Sequence, residues 1–97
     1  NPPTEPFQDR LLDQPAEYAL FEMYQKAKES FGYALNKQNA EEMYKALQLL
    51  VPVIHEFFDH VMVMVDDQRI RQNRLALLQL IHQLTNQFAD FRKIVFP

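Results

Sequence analysis

The 97-residue chain has no cysteine and only one glycine, Gly32. Without cysteine there is no disulfide framework and no thiolate zinc site, which suits a reducing compartment such as the cytoplasm. No apolar run approaches the roughly twenty residues needed to span a bilayer. The polar N-terminus also lacks the charged-then-apolar build of a signal peptide, so the chain reads as soluble, with no membrane partner. Strand-type alternation is essentially absent. There is no phosphate-cradling glycine loop, no nucleophile elbow and no acid-base pair with a supporting residue, so the chain is expected to catalyse nothing by itself.

What is present is a compact, helix-rich composition: 47% hydrophobic residues and 12% aromatics. This length suits one small domain with one core. The first residue is Asn1 rather than Met, and NPPTEPF places Pro2, Pro3 and Pro6 in an extended lead-in of residues 1–14, as expected of a domain cut at a linker of a longer protein. Phe7, Leu11 and Leu12 are the residues that would pin this lead-in to the remainder, the helical domain of residues 15–97.

Helical periodicity then appears three times. Leu20, Met23, Tyr24, Ala27, Phe31, Ala34 and Leu35 form the inward face of a helix beginning near Pro15, where proline suits a first turn. Gly32 within it suggests a close helix contact. After a turn over 36–39, with Asn39 as N-cap, a second stripe of Met43, Leu47, Leu50, Ile54, Phe57 or Phe58, and Val61 keeps helical phase through Pro52. A kink near Pro52, or two helices meeting near Val51, is expected. The third helix, from about Gln68 to Phe88, carries Ile70, Leu77, Ile81, Leu84 and Phe88, with a short turn expected in the tail from Ala89 to Pro97. The predicted fold is all-α: an antiparallel bundle of three main helices, the second kinked.

The run Phe57–Leu78 departs from this regularity. The apolar segment Val61 to Val65 reads as a buried connection, since a large exposed apolar strip is uncommon on a soluble domain. It stops at Asp66 and Asp67, which read as the cap of the third helix, with Asp67 also placed to pair with Arg71 four residues on. Asn73 and Arg74 then interrupt the core stripe. A guanidinium there must meet an acceptor, reach water along its stem, or touch a charged ligand. His55 and Asp59, four apart, point away from the core and read as a solvated pair, so no metal site is expected.

The net charge of −3 argues against a generic nucleic-acid binder, DNA included. Its distribution is uneven. After Asp67, the basic residues Arg69, Arg71, Arg74, Arg92 and Lys93 face only Asp90. With Asn73, and with Phe91 or Phe96 alongside, they form the one set suited to RNA: arginine grips phosphate, asparagine reads base edges, and aromatics stack on splayed bases. Basic residues towards a helix C-terminus also complement its dipole, and solvated charges remain the plainer alternative.

The residues Phe57, Phe58, Asp59, then Val61 to Met64, Asp66, Asp67, Arg71 and Asn73 to Leu78, followed by Ala89, Asp90 and Phe91, resemble the C-terminal end of the bacterial glycyl-tRNA synthetase beta subunit. That region belongs to the helical anticodon-binding domains. The resemblance implies a domain that holds the anticodon loop of glycine tRNA, with the remainder of the beta subunit and a catalytic alpha subunit as its other partners. It also implies ATP and magnesium for the whole cytoplasmic ligase and no cofactor in this domain. The competing expectation is a helix-bundle module that docks on a neighbouring domain or subunit without touching RNA.

Overall fold

The computed structural model describes residues 2–96, and among these every regular element is helical. The elements are α1 (Pro15–Asn36), α2 (Ala40–Gln48), α3 (Val51–His60) and α4 (Gln68–Val95), preceded by a short 3-10 turn at Asp9–Leu11. Helix α1 packs on α2, α3 and α4, while α4 also packs on α2. With α2 and α3 read as one bent rod, this is the antiparallel three-helix arrangement that the stripes predict. Its core is a single cluster containing Leu20, Ala27, Phe31, Met43, Leu50, Phe57, Leu77 and Ile81.

The helix ends follow from the local sequence. Gln14 precedes α1, its N–H donating to Glu17 Oε1 at 3.3 Å. At the other end, Gln38 adopts a left-handed φ of 55°. Its N–H donates to the Leu35 carbonyl, and the Asn39 N–H to the Ala34 carbonyl, each at 2.9 Å, which closes α1 in a Schellman motif. Asn39 then starts α2, its Oδ1 accepting from the Glu42 N–H at 3.0 Å. One residue thus ends one helix and begins the next.

The bend falls at Leu49 and Leu50, between α2 and α3. Pro52 occupies the second position of α3, where a missing N–H costs little because first-turn donors lack intrahelical partners anyway. The ladder therefore breaks just ahead of the proline, and Phe57 is carried into the core fully buried.

Three expectations change. Gly32 marks no close contact: a Cβ built there meets nothing within 4 Å. The third helix does not stop at Phe88 with a turn after it; α4 continues to Val95, because no helix breaker intervenes before Pro97, which lies outside the described residues. The Val61–Val65 run is only half buried. Val61 is in the core and Val63 and Val65 are partly covered, whereas Met62 and Met64 are 71% and 66% exposed, an alternation that matches extended rather than helical chain.

Residues 2–14 lie on the bundle. Phe7 stacks against Phe21 of α1 with ring centroids 4.8 Å apart. Leu12 is buried, and its carbonyl accepts from the Tyr18 hydroxyl at 3.0 Å. Two main-chain N–H groups bond to α4: that of Thr4 donates to Gln72 Oε1 at 3.0 Å and that of Gln8 to Asn73 Oδ1 at 2.7 Å. The lead-in thus forms a strap over the start of the third helix.

Candidate nucleic-acid interface

The six residues singled out for RNA, Arg69, Arg71, Asn73, Arg74, Arg92 and Lys93, all lie on α4 but do not form one surface. At 1.5 Å rise per residue, the twenty-three steps from Arg69 to Arg92 separate the two ends by about 35 Å. Each must be placed individually.

Arg74 leaves the RNA-facing set. It is 4% exposed, and its guanidinium is used inside the protein. Nε donates to Glu17 Oε1 at 2.8 Å, Nη2 lies in ion-pair contact with the same oxygen at 2.6 Å, and Nη1 donates to the Met62 carbonyl at 2.6 Å. Glu17 is itself only 1% exposed, so two opposite charges are buried together with further hydrogen bonds to satisfy them, the condition under which a buried pair is tolerated. Asp13 Oδ2 lies 3.8 Å from Nη2 at the edge. The interruption in the core stripe is thus matched by Glu17, which sits on the inward side of the first turn of α1.

Arg71 is half-buried and donates from Nη1 to the Val65 carbonyl at 3.0 Å; no ion pair with Asp67 is found among the described residues. It and Arg74 together hold the segment between α3 and α4 by two of its carbonyls. The cap belongs to Asp67 alone, whose Oδ1 accepts from the N–H groups of Arg69 at 3.0 Å and Ile70 at 3.3 Å. Asp66 is exposed and makes no capping bond, because the Ncap position admits one residue.

Two surfaces remain. At the C-terminal end of α4, Arg92 stacks over the Phe88 ring, 5.9 Å from its centroid, beside an exposed Tyr44 whose ring lies 6.3 Å from that of Phe88. Lys93 is exposed next to it. Phe91 is half-buried against the core and Phe96 is exposed.

At the N-terminal end, Thr4, Glu5, Pro6, Gln8 and Leu11 of the strap face Gln68, Arg69, Gln72 and Asn73 across a recess of about 370 Å³. Arg69 is exposed on its wall, and Asn73 is 4% exposed. The Asn73 Oδ1 is engaged by the Gln8 N–H, while its Nδ2 has no hydrogen-bond partner. Sequence reasoning missed the other polar members. Gln68 and Gln72, at four-residue spacing on the same side of α4, carried a usable signal; Thr4 and Gln8 carried none, since their contacts are 68 and 65 residues away along the chain.

No group of three or more histidine, cysteine or acidic side chains placed to hold a metal occurs among the described residues. His60 pairs with Glu56 at 3.3 Å on the exposed side of α3, and His55 and Asp59 are solvated. Among the described residues no helix is long and apolar enough to cross a membrane.

A small all-helical body that presents basic, amide and aromatic side chains at the two ends of α4 has the chemistry of a binding surface. Residues 2–92 match the family described as the DALR anticodon binding domain, and the chain belongs to that family. Among curated relatives, the glycine–tRNA ligase beta subunit of Halalkalibacterium halodurans is 38% identical over 86 residues, 89% of this chain and 12% of the relative. That of Persephonella marina is 36% identical over 90 residues, covering 93% of this chain and 13% of the relative. That of Oceanobacillus iheyensis is 40% identical over 83 residues, 86% and 12% respectively. The chain therefore spans about an eighth of the length of these curated relatives. No solved structure matches.

Proposed function

We propose that this chain is the anticodon-loop recognition domain of a glycine–tRNA ligase beta subunit, binding the anticodon loop of glycine tRNA and leaving chemistry to other parts of the enzyme. The observation that carries this reading is the family match over residues 2–92, together with beta-subunit relatives at 36–40% identity. In this reading the remainder of the beta subunit and a catalytic alpha subunit are its protein partners, ATP and magnesium act outside this domain, and the enzyme works in the cytoplasm. The domain would tether the far end of the tRNA so that its acceptor end reaches the catalytic centre. Base identity would be read by polar side chains on unstacked bases, and affinity raised by phosphate contacts of Arg92 and Lys93.

The test is a titration of the chain with a glycine-tRNA anticodon stem-loop and with a loop of altered anticodon, at low and moderate salt. Tighter binding to the first, weakening as salt rises, is expected. Equal or absent binding to both would favour the second reading, a docking module. The observation for that reading is the exposed apolar set Phe58, Met62 and Met64 around the segment between α3 and α4.

A further inference from the structure

We infer that the recess between the strap and the first turns of α4 is a subsite for the edge of one unstacked nucleobase, with Asn73 Nδ2 donating to an acceptor on that base. This rests on the anticodon-loop reading above and assigns a place and a polarity to one of its contacts.

The starting point is the unpartnered amide. The Gln8 N–H donates to Asn73 Oδ1 at 2.7 Å, and this fixes which way the amide is turned, because the flipped form would set two N–H donors against each other. The Nδ2 group is thereby left without a protein acceptor and itself almost wholly covered, in a side chain that is 4% exposed and forms part of the recess wall, so a base reaches it only as the neighbouring side chains of the wall give way. A buried donor left unmatched is costly, so an acceptor arriving through the recess is favoured there more than on open surface.

The surrounding chemistry narrows the ligand. The positive end of the α4 dipole is already matched by the Asp67 carboxylate. Glu5 stands in the recess wall opposite the single cation Arg69. Two carboxylates, the Asp67 cap and Glu5, against one guanidinium disfavour a phosphate. The wall is otherwise made of neutral amides and a hydroxyl: Gln8, Gln68, Gln72 and Thr4. Gln72 accepts from Thr4 through Oε1, which leaves its own N–H2 group as a second donor. Neutral donors side by side match the carbonyl and ring-nitrogen acceptors of a base edge. A volume of about 370 Å³ lies at the small end of ligand sites, room for one planar group rather than a length of strand.

The experiment uses the 97-residue chain, a glycine-tRNA anticodon stem-loop, and three versions of that loop with one anticodon base changed. The unaltered loop is expected to move the Asn73 side-chain N–H2 resonances, and one single-base change to weaken binding roughly tenfold or more and leave those resonances in place. Asn73→Asp keeps the acceptor for Gln8 but replaces the donor, so it should abolish discrimination at that one position. Arg69→Gln, at an exposed site that bears on no fold contact, should weaken the unaltered loop severalfold. If the chain discriminates among the loops while the Asn73 resonances stay still and Arg69→Gln binds normally, the subsite is overturned and anticodon reading stands. If no loop is preferred, both readings fall together.

Discussion

The two halves of α4 carry similar side chains to opposite ends. In the first half, Arg71 and Arg74 turn inward and bind main-chain carbonyls and Glu17, under the strap. In the second half, Arg92 and Lys93 stand in solvent, with Arg92 resting only on Phe88. The difference comes from what each half packs against. The first half faces the irregular segment 61–67, which has unpaired carbonyls to offer, whereas the second half packs on regular helices whose carbonyls are already used. A cluster of arginines on one helix is therefore no measure of an RNA surface until each has been asked what it already holds.

The largest test of this contrast is Arg74→Ala, which strands Glu17 in the core and should cost about 3–5 kcal/mol in chemical denaturation. Replacing both partners, Arg74→Met with Glu17→Leu, should recover most of that loss; a double variant as unstable as the single one would show that the guanidinium does more than neutralise Glu17. Next in size, Phe7→Ala should lower stability by about 1–2 kcal/mol, since it removes a half-buried ring that holds the strap on α1. Asp67→Ala should cost about 1 kcal/mol and Asp66→Ala almost nothing, a difference readable in thermal melts. Gly32→Ala should move the other way, raising stability by about 0.5–1 kcal/mol, as there is open space for the methyl group in a helix interior. Arg92→Ala should change stability by no more than about 0.5 kcal/mol while weakening loop binding in a salt-dependent manner.

The smallest effect is on pH dependence. Burial raises the Tyr24 hydroxyl above its ordinary value of 10.0. The unfolded chain therefore ionises first, and stability is intact below pH 10 and falls as pH rises from there towards the folded value. Tyr24→Phe should flatten that decline without altering the curve below pH 10.

The helices were legible because their stripes are long and regular: Leu20 to Leu35 and Leu77 to Phe88 announce both faces and phase. The bend near Pro52 was legible for the same reason that it exists, a missing N–H. The partner of Arg74 was not, because Glu17 sits 57 residues earlier on a different helix and nothing in either local pattern ties them. The recess was only half legible. Its α4 wall follows from four-residue spacing, but its other wall is a proline-rich strap whose seat is decided by two main-chain N–H groups, which every non-proline residue possesses. Gly32 misled because a glycine in a helix announces the same thing whether a neighbour is close or absent.

The Arg74 cluster also bears on the order in which the chain assembles. Its guanidinium joins the first turn of α1, the segment after α3 and α4, so no part of it forms from neighbours in sequence. Helix α1, its Schellman turn and α2 are local and closed by short-range bonds, and such contacts form early at little loop-closure cost. The ion pair then acts as a latch fastened last. A contact absent from the transition state slows escape from the native state rather than speeding arrival, so its loss is expected chiefly as faster unfolding, with the refolding rate little changed.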